Sequence, residues 1–320
     1  MEQIHNFGLK DFANFFGTTV GDFPEICRKI IRRSDFRYRP ISAQKQAQLV
    51  HEINKRIDGD YFFTAGKKAK SIWQKRWSNQ LKDFIAKDFQ MTALMPEYDK
   101  KPVHDVYCRF NHGFIAPLDE IFEFNWKHAF KYWLFDKYLK NVDHIYEFGC
   151  GTGINMAILA DLFPQKKLHC SDWVVSSKKI AEYMTKQYRW NVSGHVFDMF
   201  HPDPKLKIEK NSAFLTFGAL EQMGTGYEDF INFAIKNKIN LFINVEPIEE
   251  LFDKTDPLDA LAVRFINKRH YLSNYLTYLR RLQTEGKIKI QKIQRICLGS
   301  FYQDLSYIVW RPIKHKDNPN

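Results

Sequence analysis

Cysteine is scarce in this chain, and long apolar runs are missing altogether. Five cysteines in 320 residues (Cys27, Cys108, Cys150, Cys170 and Cys297) form an odd, scattered set without a Cys-x-x-Cys pair. That pattern argues against a disulfide framework and a structural zinc site and fits a reducing compartment. No stretch approaches the ~20 apolar residues that a membrane-crossing helix needs, so no span is expected. The opening Met1-Glu2-Gln3-Ile4-His5 has neither the basic nor the apolar region of a signal peptide, and a cytoplasmic protein is expected. Repeats and low-complexity tracts are also missing. With 44% hydrophobic and 27% charged residues, the chain reads as an ordinary folded one of about two domains.

Present in excess are positive charge and aromatic rings. The formal net charge is +11, and 28 Phe, 15 Tyr and 7 Trp bring aromatics to 16%. Cations concentrate anionic partners, whether nucleic acid, lipid headgroups or phosphorylated metabolites, and they also serve solubility. Aromatic richness fits base stacking or, more commonly, a core built from phenylalanine.

The chain changes character near Asn141. Before it the patterns are helical: 42–57, 65–87 and 125–140. In the second of these, Trp73, Trp77, Leu81, Phe84 and Ile85 recur at the helical period, opposite Lys67, Lys68, Lys70, Lys75, Arg76 and Lys82. A basic amphipathic helix lies on nucleic acid or a membrane, or simply turns a solvated face outward. The stretch 91–116 is broken by Pro96, Pro102 and Gly113. After Asn141, strands are expected at 144–148, 167–171, 194–197, 213–217, 241–245, 287–296 and 306–310. Helices are expected at 152–163, 176–189 and 227–237, with one long helix from Asp256-Pro257 to Gly286. Alternation of this kind implies a parallel sheet covered on both faces, with the last two strands an antiparallel pair at its edge. The expected organisation is a helical region 1–140, a sheet domain 141–313 and a polar tail 314–320.

Chemistry concentrates in Glu147-Phe148-Gly149-Cys150-Gly151-Thr152-Gly153-Ile154, where a strand ends and a helix begins. Glycines there permit a sharp turn and a close approach of ligand to main chain, and the helix start favours an anion. The third glycine comes one residue too early for the dinucleotide pattern G-x-G-x-x-G, and the acid at Glu147 is foreign to it.

E-x-G-x-G-x-G in this place resembles motif I of class I S-adenosylmethionine-dependent methyltransferases, and the resemblance extends over 141–312. It implies a Rossmann-like α/β class I methyltransferase sheet, mostly parallel with an antiparallel edge pair, preceded here by a helical N-terminal domain. It implies S-adenosyl-L-methionine as cofactor, held by Glu147, Gly149, Gly151 and Gly153. Asp172, nineteen residues past Gly153, corresponds to the acid on the ribose hydroxyls, and Trp173 to a residue against the adenosine. Asp198 and Met199 fall where the family reads adenine, and Gly218 opens the segment after strand four. In Phe217-Gly218-Ala219-Leu220-Glu221-Gln222, Gln222 stands where this family often has histidine, so no titratable group is available there. Singly, each of these residues also suits a turn or a helix cap.

The acceptor is less legible. The N/D-P-P-Y/F of base N-methylation and a Pro-Cys nucleophile are both missing. A helical region before the sheet is similar to small-molecule and sugar O-methyltransferases. Arg109-Phe110-Asn111-His112-Gly113 and Tyr307-Ile308-Val309-Trp310-Arg311-Pro312 loosely resemble segments of predicted sugar methyltransferases. A hydroxyl acceptor needs a base, for which His270, His112, Glu221 and Glu246 are the candidates. A phosphorylated or nucleotide-linked substrate needs arginine, for which Arg37, Arg39, Arg109, Arg264 and Arg269 are the candidates. The acids Glu246, Glu249, Glu250, Asp253, Asp256 and Asp259 suit a hard cation or, more commonly, a solvated loop and helix start, and no metal is expected. RNA methylation and a catalytically silent interaction protein are the alternatives.

Overall fold

The computed structural model describes residues 3–96 and 107–313. The first part holds β1 (His5–Asn6), α1 (Leu9–Phe16), α2 (Glu25–Arg33), β2 (Arg37–Pro40), α3 (Ala43–Asp58) and α4 (Lys70–Ala86). It continues with β3 (Cys108–Phe110), β4 (Gly113–Pro117) and α5 (Phe122–Leu139). The second part runs β5 (His144–Phe148), α6 (Ile154–Leu162), β6 (Lys167–Asp172), α7 (Val175–Tyr188), β7 (Val192–Val196) and β8 (Ser212–Phe217). It closes with α8 (Glu228–Lys236), β9 (Leu241–Glu246), α9 (Pro257–Arg269), α10 (Tyr275–Thr284), β10 (Ile288–Gly299) and β11 (Asp304–Pro312). The expected tail 314–320 and Pro102 lie outside the described residues.

All strands join one sheet in the order β1-β2-β4-β3-β10-β11-β9-β8-β5-β6-β7. Strands β7, β6, β5, β8 and β9 are mutually parallel. β11 runs antiparallel between β9 and β10. The expected antiparallel pair is therefore present but does not form the sheet edge. Leu298 and Gly299 of β10 pair with Phe110 and Arg109 of β3, and the hairpin β3–β4 carries the sheet on to β2 and β1. The first part is thus not purely helical. Its strands are two to five residues long, too short for the alternating pattern to register in sequence.

Successive side chains along each strand face opposite sides. Ile145, Leu215 and Ile243 point into a core shared with Phe12, Phe16, Trp126, Phe130 and Trp133, so packing crosses residue 140 without a break. Tyr146, Phe148, Phe214 and Phe242 point the other way, onto Phe230, Leu272, Leu276 and Trp310. In α4, Trp77 and Phe84 are buried as expected, whereas Ile85 is 43% exposed. The single helix expected from Asp256 to Gly286 is two. It starts as foreseen, the Asp256 carboxylate accepting the Leu258 and Asp259 N–H groups with proline at the first position. It stops at His270, whose φ of 53° is left-handed. Glu249 then accepts the Asn274 N–H and the Ser273 hydroxyl to start α10 at a new angle.

Candidate active site

The sheet's carboxyl edge opens into a cavity of about 1240 Å³, larger than the usual ~300–1,000 Å³ of a single-ligand site. Its floor is the glycine loop after β5. Gly149 has a φ of 71° and faces Ala219, whose Cβ would lie 2.3 Å from any Cβ placed there. Gly151 has a φ of 54°, and a Cβ there would come within 3.0 Å of Trp77. Both positions need glycine for backbone conformation and for space. Gly153 caps α6 behind the loop, against Met184, and does not line the cavity.

Three acids anchor the floor. Glu147 is fully buried; its Oε1 accepts Asn155 Nδ2–H at 2.6 Å, while Oε2, equally buried, has no partner. Burial pushes its carboxyl up to about 7. Asp172 accepts the Gly151 N–H at 2.9 Å and the Val174 N–H at 3.0 Å, so it ties β6 to the glycine loop. Its carboxyl rises to about 6, again through burial, against the pull of those amides. Beside it Trp173 stacks on Phe200, the two rings 5.9 Å apart, with Lys70 over Trp173 and Lys67 over Phe200.

The third acid, Glu221, follows β8. Burial raises it to about 7 against the opposing charge of Arg269. Its neighbours hold it in place. Gln222 Nε2–H donates to Glu221 Oε1 at 3.0 Å, and Gln222 Oε1 accepts the Trp73 indole N–H at 3.3 Å. Glu246 sits directly behind. It accepts the N–H groups of Ala219, Leu220 and Glu221, and burial together with Glu221 raises it to about 8.

The roof comes from the first part of the chain. The Ala65 N–H donates to the Arg269 carbonyl at 2.7 Å and the Gly66 N–H to the Gln222 carbonyl at 2.8 Å. These two bonds pin 61–66 to the rim and set Tyr61, Phe62 and Phe63 along the cavity with Trp73, Arg76 and Trp77 of α4.

Of the candidate cofactor, base and anion-binding residues, Glu147, Gly149, Gly151, Asp172, Trp173, Met199, Gly218, Glu221 and Arg269 line this one cavity. The others do not. Asp198 turns to the Phe200 N–H and His201, and Glu246 lies behind the lining. His112, with 74% of its side chain exposed, sits at the turn of the β3–β4 hairpin and bonds Asp256. His270 is exposed at the helix break. Arg37 pairs with Asp35, Arg39 is exposed on β2, and Arg264 bonds Asp58 and Asn54. Arg109, only 1% exposed, is locked to Asp259 and Leu258. Strand and helix registers fixed these orientations, which spacing alone did not reveal. The acidic run is likewise spent on backbone: Glu249 and Glu250 accept amides of α10, and Asp253 accepts from Thr255.

Sequence reading missed Asn155, Phe200, Phe63 and Tyr271. It also missed the disulfide between Cys150 and Cys170. The available signal was register: Cys170 pairs with Glu147 across β5 and β6, which brings it beneath the loop that carries Cys150.

No family model and no curated protein matches the chain. Among solved structures it is similar in fold to NcsB1, an O-methyltransferase of neocarzinostatin biosynthesis solved with S-adenosylmethionine and a naphthoic acid. That match has a TM-score of 0.41 and 10% identity, over 59% of this chain and 58% of that one. The chain therefore spans less than two thirds of that relative. It is also similar to the plantazolicin methyltransferase BpumL with S-adenosylhomocysteine, with a TM-score of 0.41 and 11% identity over 85% and 98% of the chains. The 16S rRNA methylase ArmA gives a TM-score of 0.44 and 13% identity over 74% and 98%.

Proposed function

We propose that the chain is an S-adenosylmethionine-dependent methyltransferase acting on a hydroxyl of a small polar metabolite, a sugar or nucleotide sugar. One observation carries this reading. Glu147, Asp172 and Trp173 face a single cavity from the ends of β5 and β6, and Glu221 faces it from the end of β8.

The residues present fit the cofactor. Glu147 Oε2 is a buried acceptor without a donor, suited to an amino acid's ammonium. Asp172 has lone pairs left for two ribose hydroxyls, and the Trp173–Phe200 pair offers a face to adenine. When bound, the cofactor supplies an activated methyl group. Everything else falls to the chain. The roof of 61–77 excludes water, and the aromatic wall positions the acceptor, which supplies much of the acceleration in such transfers. Glu221 removes the hydroxyl proton, a contribution of roughly 10²–10⁴-fold. A carboxyl near 7 is poised for that task at neutral pH. Gln222 and Trp73 keep its carboxylate turned to the cavity. A roofed cavity supports a small acceptor over an RNA strand, which needs an open basic groove.

Calorimetry tests the reading. S-adenosylhomocysteine should bind the native chain, and Asp172→Ala should bind it at least ~10-fold more weakly, one ribose contact being worth about 1.4 kcal/mol or more. Equal affinity of the two chains would count against the assignment.

A further inference from the structure

Among the described residues Arg269 is a buried cation that makes no salt bridge. It ends α9, is 8% exposed and lines the cavity. Among the described residues its guanidinium makes no salt bridge, and its Nε is buried without an acceptor. Aromatic faces enclose it instead: its Cζ lies 4.2 Å from the ring centre of Phe63 and 4.6 Å from that of Tyr271. Arg76 approaches the same Phe63 ring, at 5.2 Å, and Trp73 at 5.0 Å. It too makes no salt bridge among the described residues.

Ring faces stabilise the charge but cannot satisfy the five N–H donors of a guanidinium. Buried charges are ordinarily paired. The acid facing Arg269 is Glu221, which acts on it through the field and makes no salt bridge with it. The contrast with Arg109 and Arg295 lies in ion pairing: both of those guanidiniums are paired with Asp259 and Asp304, although Arg109 Nε, like that of Arg269, has no acceptor.

We infer that the acceptor carries an anionic group, a carboxylate or a phosphate, held by Arg269 with Arg76 as the second cation. Its hydroxyl is then directed at Glu221 from the same side, and its ring rests on Phe63 and Trp73. The inference rests on the methyltransferase reading for the meaning of the hydroxyl, but the anion site stands by itself. The two arginines reach the site from α4 and α9, so it exists only while the roof is in place.

The experiment follows Trp73 and Trp77 fluorescence during titration with inorganic phosphate, acetate, glucose 6-phosphate, glucuronate and glucose. Each titration is run with and without saturating S-adenosylhomocysteine. Glucose 6-phosphate or glucuronate should bind at least ten-fold more tightly than glucose. Whichever of the two is tighter identifies phosphate or carboxylate as the group. Arg269→Gln should abolish the preference, Arg269→Lys should keep part of it, and Arg76→Gln should weaken it. All three should melt cooperatively and bind S-adenosylhomocysteine as the native chain does. Equal affinity for charged and neutral sugars, no response to any anion, or an anion preference that survives in Arg269→Gln overturns the inference. Failure to bind S-adenosylhomocysteine with anion binding intact would instead strike the cofactor reading alone.

Discussion

The carboxylate of Glu246 holds the backbone of Glu221: Glu246 Oε2 accepts the Glu221 N–H at 3.1 Å, while its Oε1 accepts those of Ala219 and Leu220. On the function proposed above, Glu246 is the scaffold and Glu221 the working group, although both end or follow neighbouring strands. Glu246→Ala leaves two buried amides and one part-buried amide without an acceptor and should cost about 3 kcal/mol of stability. Glu221→Gln should cost less than about 1 kcal/mol while abolishing proton removal. Paired denaturant melts of the two variants check this, and equal losses would contradict the division of roles.

Three buried carboxyls and the part-buried Glu221 make stability depend on pH. Glu147 and Glu221 rise from 4.5 to about 7, Glu246 from 4.5 to about 8, and Asp172 from 3.8 to about 6. Across that window these four carboxyls hold more protons in the folded chain than in the unfolded one, so the stability they contribute falls as pH rises. The cofactor-free protein should therefore melt at a higher temperature near pH 5 than near pH 8. Glu246→Gln should flatten that slope, and a slope that steepens in the variant would refute the assignment.

Cys150 and Cys170 close a loop with a sequence separation of 20 between motif strand and neighbour. In the chain-entropy picture such a crosslink is worth about 3 kcal/mol. A dithiol reductant should lower the melting temperature of the native chain and leave a Cys150→Ala, Cys170→Ala double variant unmoved. Free-thiol counting before and after reduction supplies the control.

Arg109 belongs to a sealed cluster. Together with Arg295 it is held by Asp259 and Asp304, and three of the four side chains are 1% exposed. Removing one partner of such a cluster leaves a buried charge uncompensated, at about 3–5 kcal/mol. Arg109→Ala should lose that much in chemical denaturation. Arg264→Ala, on an exposed pair, should lose less than about 1 kcal/mol. A mild Arg109 variant with altered acceptor binding would restore it to the substrate site.

The chain's own pattern went far where structure is local. The strand–glycine–helix turn at 148–154, the acid ending β6 and the capped start at Asp256-Pro257 depend on neighbours within a few residues, and turn chemistry records them. Helix α9 was misjudged in length because its end depends on Glu249, distant in sequence, gripping Ser273 and Asn274. His112 and His270 looked suitable by residue type, yet a hairpin register and a left-handed helix end turn them to solvent.

By itself, then, the sequence determined the order of elements after residue 141, one helix break apart, and the glycine turn at the cavity floor, from periodicity and glycine placement; the acids beside that turn came from the resemblance of the motif. Tertiary structure decided the roof and the partners: that 61–77 folds over the sheet, that Glu221 rather than a histidine meets the cavity, and that Arg269 stays unpaired while Arg109 does not. The reason is physical. A backbone turn is governed by its own torsions, whereas a carboxyl's proton affinity and a guanidinium's need for a counter-ion are set by whatever distant segments exclude water from them.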